Sequence, residues 1–195
     1  MLAGMSDGNG ASRNVFLVGP MGSGKTAVGK QLARLLGLRF VDSDAEIERR
    51  TGVDIPHIFD KEGEPGFRIR ERDVIAELTA GADIVLSTGG GAVLLAENRA
   101  LLRERGTTVY LETSVAQQAA RVRRGDKRPL IAGAADPAAR LAGLMAHRAP
   151  LYAEVAALSV RTDGSQLKDV VRRIVEGLEA RGYALPASAA RILKP

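Results

Sequence analysis

The chain has 195 residues, of which 28 are basic and 23 acidic, so its formal net charge is +5. This length fits one domain with a hydrophobic core, and the lack of cysteine excludes disulfides, thiolate metal sites and cysteine nucleophiles. No run of about 20 apolar residues occurs, and a secretory signal is lacking, so we expect a cytoplasmic protein that does not bind membranes. Nucleic acid is not the expected partner, because the arginines are dispersed and aromatic residues make up only 4%.

The first elements of the chain predict a strand followed by a helix. Residues 1–13 are small and polar, which predicts a disordered leader before one domain over residues 14–182. The apolar run at 15–18 predicts a strand. The apolar spacing within 27–36 predicts an amphipathic helix that ends at Gly37.

A phosphate-loop motif joins that strand to that helix. Residues 19–26 match G-x-x-x-x-G-K-[ST] without a mismatch, whereas the alternative is a plain glycine-rich turn. Glycines let backbone N–H groups surround phosphate oxygens, and the helix N-terminus favours negative charge. In such a motif the lysine contacts the outer phosphates and the threonine binds magnesium, so we expect ATP and Mg²⁺. The expected nucleotide contacts here are Gly22, Ser23, Gly24, Lys25, Thr26 and Ala27.

The second predicted strand, at 39–41, leads directly to two aspartates. Open α/β sheets bind ligands at the carboxyl ends of their strands, and alternation along an extended chain places Asp42 and Asp44 on one side. One of them could help hold magnesium through water, and the other could orient or deprotonate an attacking hydroxyl. The alternative is that Asp42 or Ser43 only caps the next helix.

An arginine near a predicted helix start suggests an anion site. Residues 55–65 are broken by glycine and proline, and 67–78 predict a helix. The helix dipole disfavours Arg68 in the first turn, but a bound carboxylate would explain it, with Glu71 one turn away to fix the guanidinium. A solvated surface arginine is the alternative.

The middle of the chain predicts a parallel sheet and a glycine-rich loop. After a buried strand at 84–87, residues 88–91 read Thr-Gly-Gly-Gly, which would let the backbone approach a ligand, although a plain loop fits equally well. A helix over 97–105, a strand over 108–111 and a helix over 114–123 follow. Strands separated by helices predict right-handed βαβ units and a five-stranded parallel sheet covered on both faces.

The last third of the chain begins with a basic loop at 124–135. We expect this loop to close over a triphosphate as a lid that brings a cation to the transferring phosphoryl group, and the alternative is a solvated charge run. The candidate cations are Arg121, Arg123, Arg124, Lys127 and Arg128.

The remaining elements are two helices and one strand. A helix over 137–147 ends beside Arg148, whose charge the helix dipole alone could explain. A strand over 158–161 and a helix over 167–181 follow, and residues 183–195 are expected to form a loose C-terminal tail.

Taken together, these features resemble the shikimate kinases over residues 14–182. The motifs that carry the resemblance are Gly19 to Thr26, Asp42-Ser43-Asp44, Ile47-Glu48, Thr51-Gly52, Ile58-Phe59, Gly63-Glu64, Phe67-Arg68 with Glu71, Thr88-Gly89-Gly90-Gly91, Arg128-Pro129-Leu130 and Arg148-Ala149-Pro150-Leu151-Tyr152. The resemblance implies a three-layer P-loop α/β fold whose five-stranded parallel sheet has the order 2-3-1-4-5, and a monomer. It also implies transfer of the γ-phosphoryl of ATP to the 3-hydroxyl of shikimate, giving shikimate 3-phosphate and ADP on the route to chorismate and the aromatic amino acids.

The resemblance further implies roles for individual residues. Lys25, Asp44 and Arg128 are expected to be catalytic, with Asp44 as the candidate base and Arg128 reaching the phosphates. Thr26 would bind magnesium, with Asp42 helping through water. The implied shikimate contacts are Asp44, Arg68, Gly89, Gly90, Gly91 and Arg148. The adenine contact falls partly in the Arg121 region, where the choice among Arg121, Arg123 and Arg124 stays open, and partly in residues 163–166, which include Ser165.

Two other functions are weighed against this one. A gluconate or nucleoside monophosphate kinase would share the phosphate loop but not the set of Asp44, Arg68, Gly90 and Arg148. A regulatory or nucleic-acid module would bind ATP without transferring its phosphate. Two arginines can bind a carboxylate, and an aspartate can bind hydroxyl groups. These residue types alone therefore indicate a hydroxylated acid as the acceptor, whether or not the resemblance is considered.

Overall fold

The computed structural model describes residues 13–122 and 136–193, and all structural statements refer to these residues. One parallel sheet contains the strands β1 (Val15–Val18), β2 (Arg39–Asp42), β3 (Ile84–Ser87), β4 (Thr107–Glu112) and β5 (Leu158–Arg161). The strand order is β2-β3-β1-β4-β5, with β1 paired to β3 on one side and to β4 on the other. The predicted α/β fold and strand order are therefore confirmed.

Helices cover both faces of this sheet. In chain order they are α1 (Lys25–Leu36), α2 (Ser43–Thr51), α3 (Ile55–Ala80), α4 (Ala96–Glu104), α5 (Val115–Val122), α6 (Pro137–Val155), α7 (Leu167–Glu179) and α8 (Ala187–Ala190). Short 3₁₀ turns lie at Ala92–Leu94 and Arg191–Leu193. None of the helices described is long and apolar enough to cross a membrane.

The central strand β1 contributes to two separate hydrophobic clusters. Val15 and Leu17 pack with α1, α7 and α8 on one face, whereas Phe16 and Val18 pack with α4 and α6 on the other. All four side chains are fully buried. Successive side chains of a strand point to opposite faces of the sheet, and here helices cover both faces. This burial holds the end of β1, and hence the start of the phosphate loop, in a fixed place.

Helix α3 is longer than the sequence pattern predicts. It includes the segment at 55–65, and the break that we expected there is a kink between two helices at Gly63, with φ 68° and ψ −176°. Glycine takes this positive φ at little cost, so the chain bends there and the helix resumes. Arg68 lies more than one turn beyond Gly63, so the prediction that it sits in the first turn of a helix was wrong.

Helix α6 also exceeds its predicted length. It continues from Pro137 to Val155 through Pro150, although the sequence predicted an end near residue 147. A proline inside a helix removes one N–H, but here the following Tyr152 and Val155 are buried in the second cluster, and this packing holds the last turns in place. Arg148 is therefore in the interior of a helix, and the helix dipole does not explain it.

The C-terminal segment over residues 183–193 packs against the first hydrophobic cluster. Tyr183, Leu185 and Ile192 lie against the first hydrophobic cluster, and Ala189 of α8 is fully buried in it. The Tyr183 hydroxyl donates to the carbonyl oxygen of Arg13 at 2.6 Å. These apolar side chains thus cover the face formed by α1 and α7.

Other predicted segments fall outside the described residues. They are the leader up to residue 12 and the whole basic loop at 124–135, with its Arg124, Lys127 and Arg128, together with Arg123. The division of the chain into a leader, one kinase domain with a lid, and a tail stays a prediction.

Placing a charge on α8 tests whether this segment is packed. We expect Ala189→Asp to lower the free energy of unfolding by about 2 kcal/mol or more, because the carboxylate would enter an apolar cluster without a partner. Ala187→Asp adds the same charge at an exposed position of α8, and its effect should stay within about 0.5 kcal/mol. Urea denaturation measures both variants, and equal midpoints would contradict the packing of residues 183–193.

Candidate active site

The phosphate loop has the backbone that its glycines predict. Gly19, Gly22 and Gly24 all have positive φ values. Gly24 precedes α1 in the left-handed conformation, and no side chain caps this helix. The N-terminus of α1 therefore presents N–H groups and the positive end of its dipole to an anion. At Gly19 a Cβ atom would lie only 2.6 Å from the carbonyl oxygen of Leu111, so space as well as conformation requires glycine.

Lys25 and Thr26 occupy the positions that the motif predicts. The Nζ atom of Lys25 donates to the carbonyl oxygens of Gly19 and Pro20, each at 2.8 Å, so the ammonium group lies across the loop. The Thr26 hydroxyl donates to Oδ2 of Asp42 at 3.1 Å. This bond joins the phosphate loop to the end of β2.

Asp42 caps the next helix, which is the alternative that the sequence left open, and it also contacts the phosphate loop. Its Oδ1 atom accepts from the N–H groups of Asp44 and Ala45, at 3.1 and 3.4 Å, and so caps α2. Its other oxygen accepts from Thr26. The argument from strand alternation was wrong, because α2 begins at Ser43 and Asp44 is helical. The two aspartates nevertheless line the same cleft.

That cleft has a volume of about 600 Å³ and runs along the carboxyl edge of the sheet. It brings together all the predicted nucleotide contacts from Gly22 to Ala27, as well as both aspartates, Gly90, Arg121 and Ser165. Leu167 and Val170 give the Ser165 end an apolar wall. An apolar wall beside polar loops is the environment that a nucleotide base needs.

Two loops are tied together at the Ser165 end of the cleft. Asp163 accepts from the Thr113 hydroxyl at 2.7 Å and from the Ser114 N–H at 3.0 Å, so the loops after β4 and β5 are joined. Burial opposes ionisation of Asp163, but these hydrogen bonds outweigh it and lower its pKa. Arg121, from the helix after β4, donates to the carbonyl oxygen of Gly22 at 2.5 Å. The sequence analysis missed the role of Asp163 in this connection.

The triglycine segment at 89–91 approaches several functional groups closely. A Cβ atom on Gly89 would lie 2.7 Å from both Oδ1 of Asp44 and Oε1 of Glu71. On Gly91 it would lie 2.5 Å from the guanidinium carbon of Arg68. None of the three glycines has a positive φ, so at Gly89 and Gly91 it is lack of space that requires glycine. The groups that this backbone approaches closely are protein side chains, and its approach to a ligand stays a prediction.

This segment is anchored on both sides. The N–H of Gly89 donates to Oγ of Ser43 at 3.0 Å. The carbonyl oxygen of Gly90 accepts from the Tyr152 hydroxyl and, at 3.4 Å, from Nη1 of Arg148. The sequence analysis assigned Ser43 and Tyr152 no such role, although Tyr152 follows Arg148 by four residues and thus shares its helix face.

Arg68 is buried and held by two carboxylates. Its Nη1 donates to Glu71 at 2.7 Å, as predicted, while Nε and Nη2 donate to the half-exposed Glu64 at 3.2 and 2.7 Å. Its side chain is only 10% exposed, so the alternative of a solvated surface arginine was wrong. The contact with Glu64 was missed, although the spacing of four residues favours it on a helix.

Arg148 is the second buried arginine beside this segment. It is 5% exposed, yet it forms no ion pair with any residue in 13–122 or 136–193. Its charge acts on the fully buried Glu71, as that of Arg68 does. Burial raises the pKa of Glu71, and the two guanidinium groups only partly offset this. Both cations thus act on Glu71, but only Arg68 is ion-paired, with Glu71 and with Glu64.

The fold and this site define a class of protein. The parallel sheet has a phosphate loop at its central strand, and two buried arginines lie beside that loop. This arrangement is typical of a P-loop kinase that phosphorylates a small molecule.

Comparison with known proteins identifies the family. The family model for shikimate kinase matches residues 21–179. The shikimate kinase of Halorhodospira halophila is 56% identical over 167 residues, which cover 86% of this chain and 94% of that protein. The structure of shikimate kinase from Acinetobacter baumannii in complex with shikimate is 46% identical with a TM-score of 0.85, covering 90% of this chain and 97% of that one. This chain therefore belongs to the shikimate kinase family.

A more distant structure shares only the fold. A gluconokinase from Sinorhizobium meliloti is 19% identical with a TM-score of 0.53, over 86% of this chain and 92% of that one.

Adding one methyl group at residue 91 tests the close packing of the triglycine segment. We expect Gly91→Ala to lower the free energy of unfolding by about 2 kcal/mol, because the methyl group overlaps the guanidinium that Glu71 holds in place. Gly143→Ala is the matched control, since it lies exposed within α6 with nothing near its Cβ position, and it should stabilise by roughly 0.5 to 1 kcal/mol. Thermal unfolding measures both variants. A Gly91→Ala protein as stable as the wild type would contradict the packing described.

Proposed function

We propose that this chain transfers the γ-phosphoryl group of ATP to the 3-hydroxyl of shikimate, giving shikimate 3-phosphate and ADP on the route to chorismate and the aromatic amino acids. The observation that carries the choice of acceptor is the buried and unpaired Arg148 beside Arg68. A buried cation without an ion pair is costly, and a substrate carboxylate would reduce that cost. Family membership gives the same acceptor independently.

The acceptor pocket as we propose it holds one carboxylate and several hydroxyls. Arg148 and Arg68 would bind the carboxylate, with Glu71 keeping Arg68 in place. Gly89, Gly90 and Gly91 would form the wall beside the ring, because their lack of side chains leaves the backbone within reach of hydroxyl groups.

Asp44 is proposed as the group that receives the proton of the attacking hydroxyl. It lines the same cleft as the phosphate loop and lies against Gly89. As the O–P bond to the 3-hydroxyl forms, the bond between the γ-phosphorus and the bridging oxygen breaks, and ADP leaves. Positioning and charge stabilisation do most of the work in phosphoryl transfer, so Asp44 would contribute mainly by orienting the hydroxyl.

The donor site as we propose it binds ATP along the cleft. The backbone of Gly22 to Ala27 and the ammonium group of Lys25 would contact the phosphates. Adenine would lie between Arg121 and the loop that contains Ser165, against Leu167 and Val170. Arg128 would reach the transferring phosphoryl group, and this role rests on the motif alone because Arg128 is outside the described residues.

The residues present fit a magnesium ion. Thr26 and Asp42 supply a hydroxyl and a carboxylate oxygen 3.1 Å apart, and oxygen ligands are those that Mg²⁺ prefers. The described part of the chain contains no cluster of three His, Cys, Asp or Glu residues suited to a metal, so phosphate and water would complete the coordination. Bound magnesium would neutralise charge on the phosphates. We also propose that the protein acts as a cytoplasmic monomer.

An assay of ADP release with several acceptors tests the proposed function. Shikimate, gluconate and nucleoside monophosphates are compared at equal concentration with Mg²⁺ and ATP. Of these acceptors, we expect only shikimate to give ADP release above the background. Release with gluconate or a nucleoside monophosphate instead would favour the rival kinases, and none with any acceptor would favour a module that binds ATP without transferring it.

Replacing Arg68 by lysine tests the carboxylate site. Alanine would leave Glu71 buried without its partner, so Arg68→Lys is preferred because it keeps the charge and loses only the forked geometry. The KM for shikimate should rise about tenfold or more, while the KM for ATP changes less than about twofold. Arg70→Lys is the matched control, since Arg70 pairs with Glu62 on the exposed side of α3. Equal shikimate KM values in the two variants would reject the role of Arg68.

Substituting the two aspartates separately distinguishes their roles. Asp42→Asn keeps the cap of α2, because asparagine caps helices as well as aspartate does, but it should raise the Mg²⁺ concentration for half-maximal rate about tenfold. Asp44→Asn should instead lower kcat about 100-fold at saturating Mg²⁺. Rates measured over a Mg²⁺ titration check both expectations. The assignment fails if Asp44→Asn alone shifts the Mg²⁺ dependence.

A further inference from the structure

The hydroxyl of Tyr152 has no role in the function proposed above. Tyr152 lies one helical turn after Arg148 on α6 and is fully buried. Its hydroxyl donates to the carbonyl oxygen of Gly90, which lines the cleft. A buried residue that is also a hydrogen-bond donor to the wall of the acceptor pocket does more than fill the core.

The direction and position of this hydrogen bond are fixed. A carbonyl oxygen can only accept, so the phenol must stay protonated, and burial raises the pKa of Tyr152 well above its usual range. The ring of Tyr110 stacks on that of Tyr152, with centroids 5.0 Å apart and an angle of 28° between the planes. This stacking leaves the Tyr152 ring little freedom to move its hydroxyl away from Gly90.

The triglycine segment needs such an external anchor. Glycine has little conformational preference of its own, so the orientation of each peptide plane at 89–91 must come from its contacts. The carbonyl of Gly90 and the N–H of Gly91 belong to one plane and point in opposite directions. Fixing the carbonyl on α6 therefore also fixes the N–H of Gly91, in the residue that packs against Arg68.

The same carbonyl oxygen is shared with Arg148. Nη1 of Arg148 donates to it at 3.4 Å, a longer and weaker contact than that of Tyr152. Because Tyr152 is the nearer donor, Arg148 makes only this long contact, and its other N–H groups stay available for an anion. Without the Tyr152 hydroxyl, Arg148 would be the remaining donor and would be drawn onto the carbonyl.

We propose that Tyr152 is a positioning residue for the acceptor site, one that orients the Gly90–Gly91 peptide and keeps Arg148 free to bind the substrate carboxylate. This inference rests on the proposed function, because it takes shikimate to be the acceptor. The role differs from general support of the fold, since it predicts a selective effect on one substrate.

The test compares Tyr152→Phe with Tyr110→Phe. Both variants lose one hydroxyl from the same stacked pair of rings, but only Tyr152 donates to Gly90. In Tyr152→Phe the KM for shikimate should rise about tenfold, with the KM for ATP and kcat changed less than about threefold. In Tyr110→Phe all three constants should stay close to those of the wild type.

Each other outcome has a definite meaning. An unchanged shikimate KM in Tyr152→Phe overturns the proposal, as does a parallel rise of both KM values, which would indicate a general loss of structure. Failure of Tyr152→Phe to fold while Tyr110→Phe folds also overturns it, because the hydroxyl would then support the fold. If the wild type does not phosphorylate shikimate, the proposed function itself fails, and the wild-type control reports this separately.

Discussion

The close approach of the backbone at residues 89–91 to its neighbours is the constraint on which the site depends. Gly89 lies against Asp44 and Glu71, Gly90 beside the phosphate loop, and Gly91 against Arg68, with no room for a side chain at the first and third positions. Groups from α2 and α3 therefore pack against one segment that lies beside the phosphate loop. The conformational freedom that three consecutive glycines bring is then restricted by hydrogen bonds from Ser43 and Tyr152.

The fold could be predicted well where local signals were strong. The buried runs at 84–87 and 158–161 match their strands to the residue, and Gly37 ends α1 in the left-handed conformation as predicted. The errors fell where tertiary packing overrides local preference. Pro150 would end an isolated helix, but the burial of the residues after it keeps α6 helical. The packing of the C-terminal segment also depends on a surface formed by distant elements.

The site could be predicted in part, because its residue types and motifs are visible in the sequence whereas their partners are not. The phosphate loop, the pairing of Arg68 with Glu71 and the link from Thr26 to Asp42 follow from motif and spacing. The anchor on Gly90 does not, since Tyr152 lies 62 residues away in the chain. Nor does sequence alone reveal that Arg148 is buried without an ion pair among the described residues, which favours a carboxylate acceptor.

The most direct measurement of the central claim is a crystal structure of the wild-type protein with shikimate, ADP and Mg²⁺. The account predicts the shikimate carboxylate on Arg68 and Arg148, its hydroxyls toward Asp44 and the triglycine segment, and the ADP phosphates in the loop from Gly19 to Thr26. The Gly90 carbonyl should remain bonded to Tyr152. Shikimate bound with its carboxylate away from both arginines, or outside the cleft that holds the phosphate loop, would contradict the account.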